Sequence, residues 1–190
     1  MITVISKLRF FLFAGFSCFF TVLSFAQGAW STLPAMPVNT GFVTSATFND
    51  KLYLAGGVND IFTPLTDFRV FDPADSSWSA LPPLPEPRYG AALVELAGKL
   101  YLIGGSKVYF GAVLNTTLVY DPATGIWSEK APMSTGRIFF GACALGGKIY
   151  AVGGSSDNNS GEGLQTVEVY DPVANIWSPG VDLPAGRIGR

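Results

Sequence analysis

The 190-residue sequence predicts an all-β fold assembled from repeated small sheets. Three observations support this. A ten-residue phrase recurs as RVFDPADSSW at 69–78, LVYDPATGIW at 118–127 and EVYDPVANIW at 168–177. Tryptophans at 30, 78, 127 and 177 are spaced by 48, 49 and 50 residues, and the pairs Gly56-Gly57, Gly104-Gly105 and Gly153-Gly154 keep the same step. The composition, with 22 glycines, 13 prolines and 14 % aromatics, suits short packed strands joined by tight turns, and no segment shows helical periodicity.

The chain begins with a separate element. Lys7 and Arg9 precede the apolar run 10–25, which ends with Ser24 and Ala26 at the −3 and −1 positions of a cleavage site. Residues 1–26 therefore read as a signal peptide. Retention as a membrane anchor is the alternative, but the run is short for a span, which needs roughly 20 apolar residues. Cys18, preceded by Phe16 and Ser17, is a poor lipidation site. Cleavage leaves 10 basic against 14 acidic residues, a net charge of −4, and an expected location outside the cytoplasm: periplasmic, cell-surface or extracellular. Only Cys143 remains, so no internal disulfide is expected, and its apolar setting, FFGACALGG, predicts inert buried packing.

Residues 27–190 carry the repeats, at about 30–77, 78–126 and 127–176, with the start of a fourth at 177–190. In the second copy YGAALVEL (89–96) and KLYLIGG (99–105) read as two strands joined at Ala97–Lys99. After a variable loop come TTLVYD (116–121), an Asp-Pro turn and IWSEKAPM (126–133), giving four antiparallel strands per period. Asp72, Asp121 and Asp171 are placed to accept hydrogen bonds in that turn, and the following proline pre-sets its backbone. Gly125 and Asn175 suit the left-handed position that closes it. Ser76 fits less well, so the first turn is expected to differ.

The glycine pairs end the second strand, where positive φ or close approach of another segment is required. They lack the spacing and following helix of a phosphate loop. Trp78, Trp127 and Trp177, with Tyr53, Tyr101 and Tyr150, are too large for one four-stranded sheet to bury, so sheets must stack face to face. The first strands (GFVTSATF, YGAALVEL, FGACAL) are rich in small residues, which fit the crowded centre of a radial array. The expected architecture is a β-propeller.

These residues resemble the kelch repeat: an apolar strand ending in Gly-Gly, an aromatic-Asp-Pro turn and a tryptophan, with an arginine opening the inner strand. The resemblance covers roughly 28–190 and implies a kelch-type β-propeller of three four-stranded antiparallel blades, with partial blade strands at both ends and an incomplete ring. The family arginine maps onto Arg88, Arg137 and Arg187, each ten residues after its tryptophan, while Thr40 replaces it in the first copy. Three blades fall short of the usual four to eight. The sequence is therefore expected to be part of a longer protein, or to self-associate to complete its ring.

Histidine is absent, which removes the commonest general base and metal ligand, and the small negative charge offers no field for nucleic acid. No cofactor or metal is expected. The run 157–163 (DNNSGEG) lacks the spacing of a calcium loop and reads as a solvated loop. Asn115 and Asn158 open glycosylation sequons, which matter only in a eukaryotic source.

The variable loops 58–66, 106–116 and 155–165 ride on a constant framework, the layout of a recognition surface. The expected function is non-catalytic binding of a protein or carbohydrate, with Tyr109, Phe110, Arg88, Arg137 and Arg187 as candidate contacts. For the arginines, pairing with a carboxylate on the adjacent blade is the competing role. For the two aromatics it is packing on a neighbouring loop. The alternative function, implied by secreted kelch enzymes, is part of a sugar oxidase or sialic-acid mutarotase whose catalytic residues lie elsewhere.

Overall fold

The computed structural model describes residues 31–158 and 162–189. The signal-peptide assignment and Trp30 lie outside them. The chain divides into two units, Met1–Thr32 and Leu33–Arg190, and every strand belongs to the second. Among the described residues there is no helix, and so none long and apolar enough to cross a membrane.

Among the described residues, twelve strands form three antiparallel sheets of four in sequence order. The first holds β1 (Thr44–Phe48), β2 (Lys51–Ala55), β3 (Phe68–Asp72) and β4 (Ser77–Ala80). The second holds β5 (Ala92–Leu96), β6 (Lys99–Ile103), β7 (Thr117–Asp121) and β8 (Ile126–Lys130). The third holds β9 (Gly141–Leu145), β10 (Lys148–Val152), β11 (Val167–Asp171) and β12 (Ile176–Pro179). The first strands of the sheets adjoin one another, β1 beside β5 and β5 beside β9, which makes the arrangement radial. The ring is not closed.

Alternation along each strand sends side chains to opposite faces, and each face meets a different neighbour. Leu93, Leu100, Leu102, Leu118 and Tyr120 of the middle sheet pack on Tyr53, Ala55 and Phe68 of the first. Val94, Tyr101, Ile103 and Val119 pack on Ile149, Ala151 and Tyr170 of the third. Leu100, Leu102, Ile103 and Ile149 are completely buried. Fully burying such a side chain is worth about 1.5–3 kcal/mol, so these two seams carry most of the stability.

The repeated phrase forms the outer hairpin of each blade. Cross-strand partners Phe71–Trp78, Tyr120–Trp127 and Tyr170–Trp177 bring their rings to 4.9, 5.1 and 5.1 Å. Each indole then reaches out of its own blade, as Trp78, Trp127 and Trp177 donate Nε1–H to the carbonyls of Pro34, Pro82 and Ala131 at 3.2, 3.2 and 3.0 Å. All three acceptors stand four residues after the tryptophan of the preceding repeat.

Asp72, Asp121 and Asp171 cap their turns by accepting from the N–H groups of Ala74, Ala123 and Val173. They also pair with Lys51, Lys99 and Lys148 at the start of the second strands. Ser76 corrects an expectation: its φ of 56° matches Gly125 at 71° and Asn175 at 54°, so all three turns are alike. Asp75 compensates by accepting from the Ser77 N–H at 3.0 Å.

The glycine pairs bring backbones of successive blades together. Gly105, at φ 84°, donates its N–H to Arg137 O at 2.7 Å, and a Cβ there would lie 2.6 Å from Tyr89 O. Gly57 and Gly154 donate likewise to Arg88 O and Arg187 O. Cys143 corrects a second expectation. It is exposed, because it lies on the face of β9 turned away from the middle blade. Tyr150, its cross-strand partner, is only half-buried for the same reason.

Candidate functional site

Arg88 and Arg137 lie at the entry to the first strands and are 1 % and 0 % exposed. Arg88 donates to Gly104 O, Thr116 Oγ1 and Glu86 Oε1. Arg137 donates to Gly153 O, to Thr166 through both its carbonyl and its hydroxyl, and to Glu168 Oε1 at 3.0 Å. Their carboxylates come from the same repeat rather than from the adjacent blade. Only Nε of each guanidinium has no partner. Burial pulls the Arg88 pKa down, opposed by Glu86. Burial alone raises the Glu168 carboxyl, but the Ser134 N–H and hydroxyl, Arg137 and the Thr135 N–H outweigh it and hold it below the usual carboxylate range. These arginines tie blade to loop. Arg187, at the same position, is exposed and donates to Gly186 O at 3.4 Å.

The loops above them hold the candidate surface. Six aromatic rings form one continuous cluster: Phe62 and Phe110 meet Tyr109 at 4.8 and 4.4 Å, Tyr109 meets Tyr89 at 5.4 Å, and Tyr89 meets Phe42 and Phe139 at 6.3 and 6.1 Å. Phe42 and Phe139 close the set at 5.5 Å. Tyr89 is its buried centre, 2 % exposed, with Val58 and Ile138 beneath. The outer members are open: Phe110 is 61 % exposed, Phe62 52 % and Phe42 49 %, flanked by exposed Ile61 and Val108. So Phe110 is presented to solvent, and Tyr109 is the half-buried ring on which its neighbours rest.

The backbone under this cluster is strained. Phe42, Phe62, Phe110 and Phe139 have φ of 51°, 59°, 56° and 54°; the other non-glycine residues with positive φ lie in hairpin turns. A left-handed bulky residue costs on the order of 1 kcal/mol or more. Local hydrogen bonds hold each one there. Asn59 Oδ1 accepts from the N–H groups of Ile61 and Thr63, which closes the loop around Phe62. The Tyr89 hydroxyl accepts from the Phe110 N–H and donates to Asn158 Oδ1. Phe42 and Phe139 belong to a chain of backbone bonds from blade to blade, in which Gly90 N–H donates to Phe42 O and Phe139 N–H to Gly90 O. Gly90, at φ 61°, suits glycine, since a Cβ there would stand 2.5 Å from Ile138 Cγ1.

Sequence reasoning found Tyr109 and Phe110 but missed Phe42, Phe62 and Phe139. One signal was available: Phe62 and Phe110 both stand five residues after the second glycine of the pair. The opposite end of the blades carries an open groove lined by Asn49, Asp50, Lys51, Pro73 and Glu95, where Lys51 is already held by Asp72. Among the described residues, no three of Cys, Asp and Glu stand close enough to hold a metal ion.

The KLHDC2/KLHL20/DRC7 Kelch-repeats domain model matches residues 43–184. The solved structure of YjhT is similar to this chain, with a TM-score of 0.71 and 24 % identity, covering 84 % of this chain and 56 % of YjhT. The chain thus corresponds to little more than half of that protein. A comparison with curated proteins found no match. With its repeats in register, its sheets arranged radially and the family model spanning all three of them, the chain belongs to the kelch-repeat family of β-propellers.

Proposed function

We propose that this chain is a secreted, non-catalytic recognition module that takes a protein or carbohydrate ligand on its loop face. The kelch propeller fold is that of a protein-interaction module. The observation that carries the reading is the set of exposed phenylalanines held in left-handed backbone on the loops. Folding alone gives no reason to keep three such residues, Phe42, Phe62 and Phe110, in one cluster, because glycine relieves the strain. Arg88 and Arg137 support the face from below, and Arg187, Tyr109 and Phe110 remain its candidate contacts.

The test compares variants at the two ends of the propeller. A ligand selected on the full chain, from a random-peptide phage library or a glycan array, is expected to be lost by Phe62→Ser with Phe110→Ser. It should be retained by Lys51→Ala with Glu95→Ala in the opposite groove. The reverse pattern contradicts the assignment. Secretion is checked by expressing the chain with its own leader and sequencing the exported product, which is expected to begin at Gln27.

A further inference from the structure

We infer that the chain pairs with a second copy of itself, the third blade of each docking on the first blade of the other to close one ring. Three observations lead to it.

The first is that the two open sheet faces are the two halves of a seam the chain already makes twice. In the middle blade Val94, Tyr101, Ile103 and Val119 pack on the third blade. Their counterparts on the third blade, Cys143, Tyr150, Val152 and Val169, are exposed or half-buried. Leu100, Leu102 and Tyr120 of the middle blade pack on the first. Their counterparts on the first blade, Leu52, Leu54 and Phe71, lie on the face turned away from the middle blade. Each open face thus repeats the apolar positions of a face that is buried elsewhere in the molecule, and such faces mark interaction sites.

The second is an arginine without its site. Arg88 and Arg137 reach to the following blade, Arg88 to Gly104 O and Thr116 Oγ1, Arg137 to Gly153 O and Thr166 Oγ1. Arg187 stands at the same position but is exposed, with the neighbouring Gly186 O as its acceptor at 3.4 Å. The matching acceptors on the first blade are Gly56 O and Asp67. Asp67 O accepts from the Gly56 N–H just as Thr116 O and Thr166 O accept from Gly104 and Gly153. A carboxylate at that place favours an incoming guanidinium through charge-assisted hydrogen bonds. Asp67 already holds Arg69 at 2.7 Å, and its two oxygens can take both cations.

The third is what fills the first blade's site within one copy. Thr40 Oγ1 lies 3.3 Å from Gly56 O, and Pro34 O accepts from Trp78 Nε1–H at 3.2 Å. Residues 31–37 form no strand and are exposed except for Met36. Val181, 92 % exposed, stands on the third blade at the position of Pro82 and Ala131, whose carbonyls hold Trp127 and Trp177. In the pair, Val181 O and Arg187 of one copy replace Pro34 O and Thr40 of the other. The ring then passes from Arg187 to Gly41 of the second copy. Three blades from each copy make six, within the usual four to eight. Arg187 becomes a seam residue like Arg88 and Arg137, and the contacts on the loop face narrow to Tyr109 and Phe110.

The experiment measures the mass of the full chain, expressed with its own leader, by light scattering after size-exclusion chromatography over a range of concentrations. The expected result is a dimer in which Cys143, exposed in the single copy, no longer reacts with a thiol reagent. Arg187→Ala should raise the dimer dissociation constant about tenfold or more. Leu54→Asp and Val169→Asp each put a charge on one open face, and each alone should give monomer. Mixed together they should recover a dimer, because one of its two equivalent seams is then intact. That recovery also shows that both variants fold. A monomer at every concentration, a dimer that keeps Cys143 reactive, or a mixture that pairs no better than either variant alone overturns the inference. Open-ended polymers overturn it as well, since they join the same faces without closing a ring.

Discussion

The three blades meet the same structural demand in three ways. Ten residues after the tryptophan, the side chain must satisfy the carbonyl of the first paired glycine. In the first blade Thr40 Oγ1 reaches Gly56 O at 3.3 Å, and the local ion pair is Asp67 with Arg69 at 2.7 Å. In the second, Arg88 takes Gly104 O, and its carboxylate, Glu86, comes from the preceding loop. In the third, Arg137 takes Gly153 O, and its carboxylate, Glu168, comes from β11. Arg69 stands at the strand position of Glu168, so the first blade has a cation where the third has the anion, and its countercharge, Asp67, lies two residues before it. The backbone contact is therefore the fixed requirement, and the source of the countercharge is interchangeable.

Removing each arginine separates these solutions. Arg137→Leu takes the cation from a carboxylate that is 6 % exposed, leaving it to Ser134 and Thr135, and should lower unfolding free energy by about 3 kcal/mol, the lower end of the cost of breaking a buried pair. Arg88→Leu leaves Glu86 about a third exposed and still beside Lys107, so the loss should be nearer 1–3 kcal/mol. Urea denaturation of both variants checks the order, and equal losses count against the account.

A smaller effect appears in acid. The folded pKa of Glu168 lies below its ordinary value of 4.5, so its contribution is complete above that value and is lost as pH falls through the lowered one. Asp72, Asp121 and Asp171 are lowered too, each by its lysine and turn N–H groups, and act in the same direction. Glu168→Gln should cost about 1.5–3 kcal/mol at neutral pH and flatten the decline of stability below about pH 4.5. A variant whose acid decline matches wild type contradicts the assignment.

Thr40→Val should cost least, about 1 kcal/mol, because it removes one neutral hydrogen bond. Its measurement is the same urea midpoint, and a loss as large as that of Arg88→Leu would make the first blade's solution equivalent to the others.

The framework was legible because its determinants are periodic. Tryptophan, Asp-Pro and Gly-Gly recur in register, and each is required by one turn or one close approach. The arginine positions were legible for the same reason, but not their burial, since Glu86 and Glu168 occupy unrelated places in the period. The loop face was only partly readable. Phe62 and Phe110 gain left-handed backbone and exposure from Asn59 and the Tyr89 hydroxyl, contacts that no repeat foretells. Cys143 and Tyr150 were misjudged in burial because a strand pattern shows which faces are apolar, not which of them a neighbouring sheet covers.

The central claim is that the seams serve folding and the strained aromatics serve recognition. It is tested most directly by comparing the urea midpoints of Phe62→Gly with Phe110→Gly and of Leu102→Ala. Leu102 is completely buried in the seam, and its truncation should cost about 2–5 kcal/mol. For the double glycine variant, relief of two left-handed residues offsets the loss of two half-exposed rings, so its midpoint should stay within about 1 kcal/mol of wild type. A loss comparable to that of Leu102→Ala would mean that the phenylalanines hold the fold together, and would contradict the account.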